Sequence, residues 1–265
     1  MTSAIVYALV LSLCAGMATG VGSLIAILTR STNRRFISFA LGLSAGVMLY
    51  VSFCELFADA QSALEVMFDE QTGTTYAVLA MFGGLLLAMI IDRLVPEVQN
   101  PHELHSVEEL NDANNHHKLQ RMGLVTALAI AIHNFPEGIA TFMATISDAT
   151  VGIPIAVAVA IHNIPEGIAV AIPIYFATNS RAKAFKFSFL SGLSEPIGAL
   201  AAYLILMPLM TPVMLHVIFA VVSGIMVYIA IDELLPSAEE YGMHHLSILG
   251  VIIGMAVMAV SLILL

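Results

Sequence analysis

Eight stretches of this chain stay apolar for about twenty residues each, at about 4–28, 36–58, 75–95, 123–146, 152–176, 185–207, 212–235 and 246–265. An apolar run of about 20 residues matches the hydrocarbon thickness of a bilayer when it is helical. Composition agrees. Of the 265 residues, 59% are hydrophobic and only 11% are charged, against about 25% charged in a soluble domain. The expectation is an all-α integral membrane protein with eight transmembrane helices, forming one transmembrane domain over 1–265. The runs between about 123 and 235 carry Gly and Pro, which membrane helices tolerate better than soluble ones. The first run has no positive segment before it and is too long for a signal-peptide core of about 7–15 residues. It is expected to stay as a helix.

Lysine and arginine set the orientation. All nine fall in three loops. Arg30, Arg34 and Arg35 follow the first run, Arg93, Lys118 and Arg121 follow the third, and Arg181, Lys183 and Lys186 follow the fifth. Positive residues favour the cytoplasmic side. Those loops are expected inside and both termini outside. The net charge of −10 argues against a nucleic-acid partner, which needs a basic face. Cys14 and Cys54 lie inside apolar runs. They read as small buried hydrophobes, since a disulfide framework or zinc knuckle needs more thiols.

Against this background one polar motif occurs twice. HNFPEG stands at 133–138 and HNIPEG at 162–167, each near the middle of an apolar run. A carboxylate at the centre of a membrane helix costs roughly 2.5–3.5 kcal/mol on insertion scales. No lysine or arginine stands at that depth, so the compensating charge must come from protons or a bound cation. His133 and Glu137 are four residues apart, and Asn134 and Glu137 are three apart. Both pairs share a helix face. The same holds for His162, Asn163 and Glu166. The two runs are joined by a short loop and must pack antiparallel, so both motifs can converge on one point.

Pro136 has no N–H for the carbonyl of Ile132, and Pro165 none for that of Ile161. Kinked helices are expected there. Gly138 and Gly167 permit close helix approach. A third acid, Glu195 in SGLSEPIG, is also central in its run. Three glutamates, two imidazoles and two amides make a cation site of mixed nitrogen and oxygen ligands. With no thiolate near, the set suits zinc, with ferrous iron or manganese as competitors. The competing view is that polar side chains in membrane helices glue helices together by hydrogen bonding. A second alternative is a membrane-embedded metalloenzyme. No side chain remains as an obvious general base, because both glutamates are consumed as ligands. A third is a passive cation channel, which these residues do not distinguish from a carrier.

Other acids lie near the ends of runs. Glu55, Asp59 and Asp148 fall on the outer side, where they can draw cations to a mouth or simply be solvated helix ends. Asp92, Asp232 and Glu233 fall on the inner side. The loop at about 93–122 holds His102, His105, His116 and His117 among acids. It is either a metal-collecting segment or a flexible polar linker. The fifteen methionines read as packing filler. His216, His244 and His245 read as interfacial residues.

HNFPEGIATF, HNIPEGIAVA, SGLSEPIG and GIMVYIAIDELLP, in that order, resemble the ZIP (Zrt/Irt-like) metal transporters over nearly the whole chain. The likeness is strongest to bacterial members. It implies a ZIP-like bundle in the inner (plasma) membrane and uptake of divalent metals into the cytoplasm. The family often assembles as dimers, and some members accept zinc, iron, cobalt and manganese. These metals would be transported substrates, with no resident cofactor and no catalysis. The resemblance also implies two metal positions. One would take His133, Glu137, His162 and Glu166. The other would take Asn134, Glu137, Asn163, Glu166 and Glu195, so that Glu137 and Glu166 bridge. It further implies that Asp92, Asp232 and Glu233 receive the metal as it leaves.

Overall fold

The computed structural model describes residues 2–29, 34–94, 116–240 and 242–264. Eleven α-helices run through them in chain order. They are α1 (Thr2–Thr29), α2 (Arg34–Val51), α3 (Ala58–Met67), α4 (Glu70–Leu94), α5 (His116–Ser147), α6 (Ala149–Thr178), α7 (Arg181–Gly192), α8 (Ser194–Ala201), α9 (Pro212–Ile229), α10 (Leu235–Glu240) and α11 (His244–Leu264). Among the described residues there is no strand.

Seven helical stretches among the described residues are long and apolar enough to cross a membrane. They are Ser3–Leu28, Arg35–Met67, Glu70–Arg93, Ala149–Ile172, Arg181–Leu209, Pro212–Glu239 and His244–Ile263. They match seven of the eight expected spans. The remaining one, expected at about 123–146, lies within α5, where many side chains before Ala127 are outside the described set.

Boundaries differ from expectation where a helix outlasts its apolar run. The second run was expected to stop near 58, but the chain stays helical to Met67. The segment ADAQSALEVM is too polar to extend an apolar run, yet it is rich in good helix formers. Likewise α5 begins at His116, inside the stretch expected as a loop. His102 and His105 lie outside the described residues, as do the side chains of His116 and His117.

Among the described residues three stretches loosen into π-helix: Ser52–Phe57, Ala202–Leu206 and Ala230–Leu234. Such turns insert an extra residue and often mark functional sites. Two of them carry acids, Glu55 in the first and Asp232 with Glu233 in the third.

One residue, Asp148, separates α5 from α6, so the two pack antiparallel as the sequence requires. Its side chain accepts from the Thr150 N–H at 2.8 Å and from the Thr150 hydroxyl at 2.8 Å, capping α6. At the far end Asn179 takes a left-handed conformation (φ 46°) and its N–H reaches the Tyr175 carbonyl.

Close packing sorts the helices. A Cβ on Gly138 of α5 would collide with the Glu195 carbonyl oxygen, and one on Gly167 of α6 with the Thr19 carbonyl oxygen of α1. Glycine lets these backbones touch. Contacts of this kind also join α1 to α7, and separately α2 to α11 and α4 to α9. The hexapeptide helices α5 and α6 thus form one tightly packed group with α1, α7 and α8. The helices α2, α4, α9 and α11 form tight pairs outside it. Between them lies an apolar core that includes Met48, Phe142, Ile155, Phe219 and Met226.

Large apolar side chains cover the outside, among them Leu79, Phe82 and Ile90 on α4 and Ile252 and Ile263 on α11. Exposed apolar area on this scale marks a surface that meets lipid. Cys14 and Cys54 belong to it, for both are exposed. The expectation that they are buried was wrong. In a membrane protein an apolar side chain is as well placed against lipid as in the core.

Candidate functional site

The hexapeptide side chains leave helix faces that turn into the packed group. Asn134 and Glu137 come from α5, His162, Asn163 and Glu166 from α6, and Glu195 from the first turn of α8. All six are buried, four of them completely. The side chain of His133 lies outside the described set.

Hydrogen bonds connect them across helices. Nε2 of His162 lies 3.1 Å from Oε1 of Glu137, joining α6 to α5. The Asn163 amide nitrogen donates to the Ala15 carbonyl of α1 at 2.9 Å. The same nitrogen donates to Oε1 of Glu195. With the Asn134 amide oriented so that its nitrogen meets acceptors, it donates to Oε2 of Glu166 at 3.2 Å and to the Ile130 carbonyl at 3.1 Å. Amide orientation is assigned from such partners.

Both asparagines therefore follow one pattern. Each directs its amide N–H groups to a glutamate and a backbone carbonyl, which leaves the amide oxygen as the atom for any further partner. The sequence could not show the Ala15 carbonyl, because a main-chain acceptor has no residue-type signature.

Three buried oxygens of the cluster have no hydrogen-bond partner: Oε2 of Glu137, Oδ1 of Asn163 and Oε2 of Glu195. Leaving such an atom unpaired in a buried place costs about 1–3 kcal/mol. Carboxylate and amide oxygens beside the imidazole of His162 are the donor chemistry of a divalent transition metal. Among the described residues, no three or more His, Cys, Asp and Glu side chains are arranged to hold an ion. The carboxylates instead face their hydrogen-bond partners, and His133 stands outside the described side chains.

The peripheral acids are placed as follows. Glu55 is partly buried in its π-helical stretch. Oδ2 of Asp59 lies 3.2 Å from Nδ1 of His216, linking α3 to α9. His216, expected as a merely interfacial residue, thus has a specific partner. Asp148 caps α6, and the Thr150 N–H and hydroxyl hold its carboxyl below the usual carboxylate range. On the other side Tyr228 donates to Oδ2 of Asp92 at 3.2 Å, with Asp232 one helical turn further on. His244 pairs with Glu239 at 2.8 Å, and its ring meets that of His245 edge-on.

These features define a helical membrane protein with carboxylates, amides and an imidazole gathered inside its bundle. The sequence model of the ZIP zinc transporter family matches residues 2–262, and the chain belongs to that family. The family expected from the two hexapeptides is the family found.

Relatives match over almost their whole length. The zinc transporter ZupT of Streptococcus mutans is 57% identical over 257 residues, covering 97% of both chains. The zinc transporter ZupT of Oceanobacillus iheyensis is 57% identical over 261 residues, also covering 97% of both. That of Nitratidesulfovibrio vulgaris is 56% identical over 263 residues, covering 96% of this chain and 95% of its own. This is a family of transporters and not of enzymes, so the metalloenzyme alternative falls away. A metal ion is cargo here and not a cofactor.

Proposed function

We propose that this protein takes zinc across the bacterial inner membrane into the cytoplasm through the buried cluster of α5, α6 and α8. One observation carries this reading. The only acids and amides of the hexapeptides lie buried together, and three of the cluster's oxygens able to bind a metal lack hydrogen-bond partners. Relatives more than half identical over nearly full length are named as zinc transporters.

In this reading α5 is the eighth membrane crossing, kinked at Pro136 as α6 is at Pro165. Its inner end carries Lys118 and Arg121, and both termini lie outside. Two metal positions share Glu137 and Glu166. The first adds His133 and His162, and the second adds Asn134, Asn163 and Glu195. The first mixes nitrogen with oxygen and suits zinc. The second offers only oxygen and suits harder ions, which extends the cargo to iron, manganese and cobalt. The acids Glu55 and Asp59 concentrate cations at the outer mouth through their local field. Asp92, Asp232 and Glu233 accept the ion at the inner end.

Movement through such a site needs ligands that can be exchanged. The His162–Glu137 hydrogen bond and the asparagine–glutamate bonds supply this, because each holds a ligand in place and breaks when the ion takes over that ligand. The test is zinc influx into sealed proteoliposomes holding the purified protein and an internal zinc indicator, with no energy source. Influx above protein-free vesicles, saturating with external zinc, is expected. Vesicles that stay dark across the zinc range would overturn the proposal.

A further inference from the structure

The cluster is held from outside its own helix group by a residue that no motif points to. Ser44 lies on α2, is fully buried, and donates from its hydroxyl to the main-chain carbonyl of His162 at 3.2 Å. Other buried serines bond to neighbours that pack elsewhere in the bundle. Ser188 of α7 donates to the carbonyls of Thr19 and Gly167 at 3.2 Å each, and Ser38 of α2 to that of Ala238 at 2.7 Å. The Ser44 bond instead runs from α2 to α6, across the seam between the groups.

Its target is a weak point of the helix. Pro165 supplies no N–H for the carbonyl of Ile161, so α6 lacks a main-chain hydrogen bond one residue before His162. A carbonyl oxygen has two lone pairs, so His162 can accept from the helix and from Ser44 together. The same residue is fixed at its other end by Glu137, 3.1 Å from Nε2. Its peptide and its ring are therefore held from two different helices, α2 and α5.

We propose that Ser44 is a positioning residue for His162. Its hydroxyl fixes the peptide from which the imidazole is presented, and so tunes the preference of the site for zinc. It does not touch the ion. The inference rests on the reading of His162 as a ligand.

The chemistry gives a signature that a purely structural serine would not. Zinc binds imidazole well, whereas manganese relies on oxygen donors. Groups that orient a ligand typically contribute 10–100-fold in metal affinity. Ser44 acts through the main chain, so the low end of that range, about tenfold, is expected for zinc, with manganese changed by less than about threefold.

The experiment measures zinc and manganese affinity by titration of the purified full-length protein as Ser44→Ala, Ser44→Thr and His162→Ala, beside the parent. Melting temperature is recorded for each. Ser44→Ala should lower the zinc-to-manganese affinity ratio, and Ser44→Thr, which keeps the hydroxyl, should restore it. If Ser44→Ala weakens both metals equally, or leaves the ratio unchanged while His162→Ala lowers it, the role of Ser44 is wrong and the site reading stands. If His162→Ala itself leaves zinc affinity unchanged, the site reading fails and takes this inference with it. Should Ser44→Ala fail to fold, Ser44→Cys, with a weaker donor of similar shape, must give a ratio between those of the parent and His162→Ala. A parent-like ratio there would overturn the proposal.

Discussion

His162 and Glu137 sit on different helices, 25 positions apart, and their side chains meet at 3.1 Å with both almost fully buried. That contact needs a proton between nitrogen and oxygen. An ion that takes His162 through Nε2, together with Glu137, must displace it, since the metal needs the lone pair of that nitrogen and a deprotonated carboxylate. Zinc binding should therefore release protons, and acid should weaken it. Calorimetry of zinc binding in buffers of different ionisation enthalpy measures this. The observed heat should change from buffer to buffer, and a buffer-independent heat would contradict the displacement.

The asparagines allow a separation of metals. Each of Asn134 and Asn163 turns its amide nitrogen to a glutamate and a main-chain carbonyl. The amide oxygen is then the atom offered to an ion. Asn134→Ala and Asn163→Ala should lower manganese or iron uptake more than zinc uptake, by about tenfold against a few-fold. Uptake assays with each metal alone check it. Equal loss of every metal would argue against two positions of different chemistry.

Glycine substitutions test the packing. At Gly138 a Cβ meets the Glu195 main chain, which cannot move aside, while at Gly83 on α4 a Cβ meets nothing within 4 Å. Gly138→Ala should destabilise by about 1–3 kcal/mol, the usual size of an overpacking penalty. Gly83→Ala should be neutral or slightly stabilising, because alanine is the better helix former by about 1 kcal/mol. Thermal unfolding in detergent compares them, and equal melting temperatures would mean that the close contact does not matter.

Asp148 gives a pH signature away from the cluster. The Thr150 N–H and hydroxyl stabilise its carboxylate in the folded chain, so its folded pKa is depressed. The stabilisation is present above the unfolded value, about 3.9 for an aspartate, and is lost as pH falls through the folded one. Asp148→Asn keeps a good cap without a charge. The melting-temperature difference between parent and Asp148→Asn should shrink as pH drops from about 6 to about 3. A constant difference would mean that the carboxylate charge contributes nothing there.

Much of this arrangement is legible in the residues alone. The repeat of HNxPEG, with His and Glu one turn apart, puts each motif on one helix face, and the short connection between the two runs brings the motifs together. Glu195 is legible for the same reason, as a lone acid in the middle of an apolar run. The contributions of Ala15 and Ser44 are not. One is a main-chain carbonyl, and the other is a common residue whose value depends on which helix lies beside it. The π-helical turns around Glu55 and Asp232 are likewise unreadable, since an inserted residue changes no apolar periodicity strongly enough to notice. The burial expected for Cys14 and Cys54 failed because lipid and protein core favour the same side chains.

The central claim is that one shared pair of carboxylates carries every ion across. Glu137 and Glu166 come from the two copies of the motif and lie in the same buried cluster. Glu137→Ala and Glu166→Ala should each reduce zinc influx into sealed proteoliposomes to the level of protein-free vesicles, with the parent run alongside and folding checked by melting temperature. Influx at the parent's rate by either folded variant would contradict the account.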